Sequence, residues 1–214
     1  MLRFLKRIFS PIPARNRAEY ISCKYKRKEI DEDIYPQEIK TPPARSDDLR
    51  KYSSAASHIP DLPKAEVKWV IDGDTVVVSI KGQKEKVRLD SIDCPEGDQE
   101  WGSAAKYGLV KLIGGRSIQL EQYGMDIYGR IIATIYVWND ANNEWSNVNE
   151  RMVTLGHAWV MRLYYNHLSK DRQNKLNQLE RWARSRKVGL WRSQNPIPPW
   201  NWRSKCKNAC RSLN

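Results

Sequence analysis

Three runs rich in β-branched residues, 66–72, 75–81 and 85–91, follow one another with only two short interruptions, Asp72-Gly73-Asp74 and Lys81-Gly82-Gln83. Asp and Gly form turns readily, and the runs are partly alternating, so they read as a three-stranded meander. Strand alternation places Arg88 on the face opposite Val87 and Leu89. Ala105, Leu109, Leu112 and Ile113 then recur at helical spacing, with Ser103 expected as N-cap and Gly114-Gly115 as the stop. Residues 117–123 and 131–137 supply two further strands. This β-β-β-α-β-β order fits an α+β, mainly β protein built on a five-stranded Greek-key barrel of the OB type.

Two more helices are expected after the barrel, making three. Asn149 is placed to cap a short one, with Val148 and Val153 at staple spacing and Gly156 at its end. The other covers 169–187, repeats Leu176, Leu179 and Ala183 along one stripe, and ends at Gly189. Trp159, Trp182 and Trp191 lie on apolar helix or cap positions and read as core. Pro196-Ile197-Pro198-Pro199-Trp200 reads as an extended strap against the domain. Residues 1–63 lack sustained periodicity and are rich in Lys, Arg, Glu and Pro, so they are expected to be a flexible basic or targeting extension, disordered or only locally helical. The folded domain is expected over 64–203, followed by a basic tail, 204–214.

Thirty-seven Lys and Arg stand against 25 Asp and Glu, a formal net charge of +12, which points to an acidic polymer or surface as partner. The three histidines (His58, His157, His167) and four cysteines show no zinc spacing. Cys206 and Cys210 are spaced so that a bridge is open to them, with a pair of free thiols in a flexible tail expected at least as readily. The first nine residues interrupt their apolar side chains with cations, unlike the continuous core of a secretory signal, and no segment approaches a membrane span. The first 18 residues carry no acid, which suits an organelle-targeting or membrane-surface helix. The compartment is not fixed by these features; an intracellular site is favoured, and a monomer is expected.

Five charged residues carry the chemistry: Asp74 in Ile71-Asp72-Gly73-Asp74-Thr75, Arg88, Asp93 and Glu96 in the stretch 87–96, and Arg130 in Asp126-Ile127-Tyr128-Gly129-Arg130. Carboxylates that hold a hard cation, one that orders a water, and two guanidinium forks that grip a phosphate are what hydrolysis of a phosphodiester requires. The substrate is an anion that repels hydroxide, so it must be neutralised while a water is activated in line with the leaving oxygen. Each piece alone has a plain structural reading, Asp-Gly-Asp as a hairpin turn and the arginines as solvated strand residues. Their ordered combination indicates a metal-dependent nuclease.

That combination, Asp-Gly-Asp-Thr, Arg-Leu, Ile-Asp-x-Pro-Glu, Tyr-Gly-Arg, a Val-Asn-Glu helix closed by Gly, and Gly-Leu-Trp, resembles the thermonuclease family of calcium-dependent, staphylococcal-nuclease-like domains from about Lys64 to Arg203. The resemblance implies that Asp74, Asp93 and the backbone carbonyl of Cys94 ligate Ca2+, with Asp72 orienting ligands or waters from behind. It implies Glu96 as general base or water-positioning group, Arg88 and Arg130 as phosphate-binding catalytic residues, and Tyr128 and Tyr164 as nucleotide contacts. Calcium-dependent cleavage of DNA or RNA to 3′-phosphate and 5′-hydroxyl ends is the expected activity. Cys94 stands where the family prototype has threonine, Ile127 replaces a lysine, Arg162 replaces a tyrosine, and residues 97–101 are shorter than the prototype's basic loop. Substrate handling is therefore expected to differ more than chemistry. Two rival readings remain: a non-catalytic OB module binding nucleic acid or protein, which the intact charged set opposes, and a basic peripheral membrane protein, which leaves Glu96 unexplained.

Overall fold

The computed structural model describes Ile59 and residues 61–211, with side chains to Cys206. The expectations for residues 1–58, and for Cys210, lie outside the described residues. By its contacts the chain divides into a unit spanning 42–202 and a second formed by 1–41 with 203–214, of which only 203–211 are described.

Eight strands and four helices are present among the described residues. The meander is β1 (Lys64–Val70), β2 (Thr75–Ile80) and β3 (Gln83–Leu89); a two-residue strand β4 (Ile92–Asp93) precedes helix α1 (Gly102–Ile113). Then come β5 (Ser117–Met125), β6 (Ile131–Asn139), β7 (Glu144–Asn147), α2 (Val148–Thr154), β8 (Trp159–Val160), a 3-10 turn (Arg162–Tyr164), α3 (Lys170–Ser185), a second 3-10 turn (Gly189–Arg192) and α4 (Pro199–Arg211).

The sheet order β3-β2-β1-β5-β6 closes on itself because β6 also pairs with β3. That closing contact is parallel, Val87 opposite Ile131 and Leu89 opposite Ala133, whereas the other four are antiparallel. The result is the expected five-stranded OB-type barrel, with β7 added outside β6. The β2–β3 hairpin turns on Lys81 (φ 49°) and Gly82 (φ 84°), the paired positive φ of a two-residue turn that follows strand twist. Inward alternation buries Val76 and Val78, Val87 and Leu89, Ile118 and Leu120, Ala133 and Ile135; Leu109 and Ile113 of α1 and Met152 and Val153 of α2 join the same core. Each Val, Leu, Ile or Met among them contributes about 1.5–3 kcal/mol on leaving water.

Four local expectations are corrected. Ser103 lies inside α1; the cap position is Trp101, whose φ of 72° turns the chain into the helix with no side-chain cap hydrogen bond. Asn147 caps α2, accepting from Glu150 N–H, while Asn149 is buried and ties the barrel to α2: its Oδ1 accepts from Ile135 N–H, and its Nδ2 donates to the carbonyls of Asp90 and Ala133. Ser169 does cap the following helix, but that helix ends at Ser185. The strap is extended only to Pro198; Pro199 opens a fourth helix, its missing N–H costing nothing in the first turn. Trp159 and Trp191 are core, as expected, stacking edge-to-face at 4.3 Å in a second cluster that Trp101, Trp182 and Trp200 pack against.

Candidate active site

The turn between β1 and β2 sets the first carboxylates. Asp72 Oδ1 accepts the N–H of Asp74 at 3.1 Å, so the Asp-x-Asp turn is closed by its own side chain. Asp74 is buried and accepts from the Thr75 hydroxyl (2.9 Å) and from Cys94 N–H (3.1 Å). Burial alone would raise the Asp74 pKa, but Arg88, the Cys94 N–H, Thr75 and, more remotely, Arg130 together hold it below the ordinary carboxylate value. At Asp72 the hydrogen bonds from Asp74 N–H and Thr75 favour the charged form but are outweighed. Burial, followed by the charge of Asp74, pushes it up to about 7.

Arg88 reaches this turn because Thr75 lies directly opposite it across the β2–β3 ladder. Its Nη2 donates to Asp93 Oδ1 at 2.8 Å and lies 3.5 Å from Asp74 Oδ2. Nη1 donates to the carbonyls of Leu89 and Ile92, which fixes the plane of the fork. Asp93, only 1% exposed, is held by β4, whose pairing with β8 sets Asp93 opposite Trp159. Neither two-residue strand was expected from the sequence. They exist because the chain reverses at Ser91 (φ 60°) and Ser91 O accepts Met161 N–H.

Arg130 comes from the β5–β6 hairpin. Asp126 holds it firmly: Oδ2 lies 2.7 Å from both Nε and Nη2, and Oδ1 accepts the N–H groups of Tyr128 and Arg130. Nη1 reaches Thr75 Oγ1 only at 3.5 Å, so this corner of the fork points toward the Asp74 turn with its weakest contact there. Tyr128 is 62% exposed, and its ring lies 5.5 Å from the Arg130 guanidinium carbon, a face open for stacking. Tyr164 is half-buried on the 3-10 turn after β8, beside the strand that pairs with the Asp93 strand. Arg162 pairs instead with the buried Glu180 at 2.5 Å.

Glu96 lies three residues beyond Asp93 in a turn held by Gln99, whose N–H donates to Glu96 O and whose Oε1 accepts Glu96 N–H. The buried Gln99 amide donates on to Ile197 O, and Asp98 accepts from the Trp202 indole, so the segment after the second 3-10 turn braces this loop. A Cβ on Gly102 would fall 1.8 Å from Glu96 O; only glycine admits that approach. Trp101 is anchored by its indole N–H on His157 Nδ1 at 3.1 Å, and burial lowers His157 to about 4, leaving it a neutral acceptor.

The donor set suits a hard cation. Burial raises the Cys94 thiol well above its usual value, and Asp74, Asp72 and Asp93 raise it further while Arg88 opposes them. Asp74, Asp72 and Asp93 thus all act on the Cys94 position, with Arg88 against them, and carboxylate oxygens are the donors a hard cation takes. Among the described residues no group of three His, Cys, Asp or Glu side chains is placed to hold a metal ion by itself. Asp126, Thr75, Gln99 and Gly102 escaped the sequence reading. Asp126 was legible, since an Asp four residues before an Arg across a Gly turn is a natural side-chain closure; Gln99 and Gly102 act through long-range approach that spacing does not show.

Comparisons with known proteins place the chain in a family. Residues 86–193 match the family described as staphylococcal nuclease homologue. The chain is 33% identical over 169 residues to a micrococcal nuclease of Shigella flexneri, covering 75% of this chain and 95% of that protein. It is 35% identical over 160 residues to the probable staphylococcal-like nuclease CAN2 of Oryza sativa subsp. japonica, covering 75% of this chain but 39% of the rice protein. Protein ParB of Escherichia coli is 33% identical over 148 residues, 68% of this chain and 81% of its own. The OB barrel, the ordered motifs and these matches lead to one assignment: the chain belongs to the staphylococcal nuclease family.

Proposed function

We propose that this protein is a calcium-dependent nuclease that hydrolyses phosphodiester bonds of DNA or RNA and leaves 3′-phosphate and 5′-hydroxyl ends. The observation that carries the reading is the Arg88 fork shared between Asp93 (2.8 Å) and Asp74 (3.5 Å), with Arg130 aimed at the same turn through Thr75. Asp74, Asp93 and the Cys94 carbonyl would hold the cation, which supplies Lewis-acid stabilisation of the phosphate and a site for water. Arg88 and Arg130 bind the phosphate oxygens and strengthen their hydrogen bonds as charge accumulates in the transition state. Glu96, on its braced turn, orients the attacking water and takes its proton. Asp126 and the carbonyls of Leu89 and Ile92 keep the two guanidinium groups from wandering, so little reorganisation accompanies the reaction. Tyr128 offers its exposed face to a base beside the phosphate.

Product ends test the polarity. Fragments should resist 5′-kinase labelling only when a 5′-phosphate is present, so direct labelling by kinase is expected. Fragments that require phosphatase treatment before they accept label would contradict attack with departure of the 5′ oxygen. Excess chelator should abolish cleavage, and calcium should restore it better than zinc.

A further inference from the structure

The outer face of the meander carries a second set of basic and aromatic side chains, continuous with the site but not part of it. Thr75 opposite Arg88 forms the row at the site. The next row on that face is Val77, with Lys86 on one side and Trp69 on the other. Beyond it Ser79 faces Lys84. Antiparallel strands rise about 3.4 Å per residue, so the rows lie about 7 Å apart and the line from Arg88 to Lys84 is about 14 Å long. The inward positions Val76, Val78, Val87 and Leu89 are fully buried, so all of these groups stand on the opposite, outward face.

Trp69 is 49% exposed although it is a large apolar ring within barrel strand β1, one residue before the strand ends. The Lys84 ammonium lies 5.4 Å from the ring centroid, so an aromatic face and a cation are already set together. Lys84 and Lys86 are exposed, and neither forms an ion pair among the described residues. The acid on this face, Glu66 opposite Ser79, is neutralised by Lys68 at 2.8 Å. A stacking platform with unpaired cations spaced along an extended line fits a single strand, whose bases are open to an aromatic face and whose phosphates track the lysines. A duplex hides its base faces and offers Trp69 nothing to stack on.

We propose that Trp69, Lys84 and Lys86 form an extended single-strand subsite that carries the chain leading away from the scissile phosphate, with Trp69 stacking a base and the two lysines contacting phosphates. The proposal rests on the nuclease reading of the site. It predicts that length, rather than the cleaved bond, determines how much these residues matter.

The test compares the full chain with its Trp69→Ala, Trp69→Phe and Lys84→Ala/Lys86→Ala variants in calcium buffer. Substrates are a dinucleotide, a single strand of about 16 nucleotides, the upper site size for one OB barrel, and its duplex. Trp69→Ala should raise KM for the long single strand about 5–150-fold, with kcat and all dinucleotide parameters unchanged. Trp69→Phe should recover most of that loss, and the duplex should be affected little. The lysine pair should reduce the slope of log K against log salt by about 1.4, two phosphate contacts at about 0.7 each. An active parent with unchanged long-strand KM in Trp69→Ala and in the lysine variant overturns the subsite and leaves the nuclease reading standing. Equal losses on dinucleotide and long strand, or on duplex and single strand, overturn it as well. A parent that cleaves none of the substrates fails at the nuclease reading itself, and the subsite falls with it.

Discussion

Asp72 and Asp74 share one turn, joined by a 3.1 Å hydrogen bond from Asp74 N–H to Asp72 Oδ1, yet their environments drive their carboxyl groups in opposite directions. Burial and the neighbouring charge raise Asp72 to about 7, above the value near 3.9 of an unfolded chain. The unfolded state therefore releases this proton first. The stability it contributes is fully present below about pH 4 and is lost as pH rises through about 7.

Buried His157 acts with the opposite sign, its pKa of about 4 lying below the unfolded value, so its contribution holds above about pH 6.5 and is lost as pH falls through about 4. The two slopes offset one another, and only a difference between variants isolates Asp72. In chelator, the stability of Asp72→Asn relative to the parent should rise between pH 4 and pH 7, measured by thermal melts. Parallel curves would show that Asp72 is not buried against Asp74. Calcium should flatten the parent's loss, because a cation beside Asp74 offsets the charge that raises Asp72.

Asp126 should matter to turnover without touching substrate. It fixes Arg130 through Nε and Nη2, both at 2.7 Å. Asp126→Ala should lower kcat about 10–100-fold, the usual cost of removing a group that orients a functional one. Arg130→Ala should cost about 2.7–4 kcal/mol of transition-state stabilisation, as for one preorganised donor. The double variant should be no slower than Arg130→Ala alone; additive losses would assign Asp126 a separate role.

Gly102 and Gln99 should affect the Glu96 turn. A methyl at Gly102 has no room beside Glu96 O, so Gly102→Ala must shift the loop backbone and lower kcat while leaving the barrel intact. Gln99→Ala removes the side-chain acceptor of Glu96 N–H and the donor to Ile197 O, and should act in the same sense. Kinetics and circular dichroism together decide it: parental kcat in both variants would detach Glu96 from the reaction.

Asn149→Ala should be among the costlier substitutions in the barrel. It strands the Ile135 N–H and leaves the Asp90 and Ala133 carbonyls one donor short, all in the interior. A loss on the order of 3 kcal/mol is expected, which for a domain of this size lowers Tm by about 6–12 °C. A change under about 1 °C would mean that water replaces the amide.

The barrel and its charged set were legible because turn residues and alternation act locally: Asp72-Gly73-Asp74 and Lys81-Gly82 punctuate the meander, and Leu109 and Ile113 mark the helix beneath it. The resemblance named Asp74, Arg88, Asp93, Glu96 and Arg130; the structure brings Arg88, Asp74 and Asp93 into direct contact and links Arg130 to them through Thr75. Long-range partners were not legible. Asn149 looked like a cap because Asn caps helices, but its amide is used across 14 to 59 residues of sequence. Pro198-Pro199 looked like the middle of an extended strap, whereas the second proline opens a helix. The strands at Asp93 and Trp159 are too short for periodicity to register.

The central claim, that one charged cluster performs metal-assisted phosphodiester hydrolysis, is tested most directly by single-turnover cleavage of an end-labelled single strand with the parent and Glu96→Gln in the same calcium buffer. Glu96→Gln preserves size and removes the charge, so the rate should fall about 10²–10⁴-fold with an unchanged melt, and chelation should silence the parent. Equal rates in the two rigorously purified proteins, or a parent undiminished in excess chelator, would contradict a metal-assisted Glu96 site and favour a barrel that binds without cleaving.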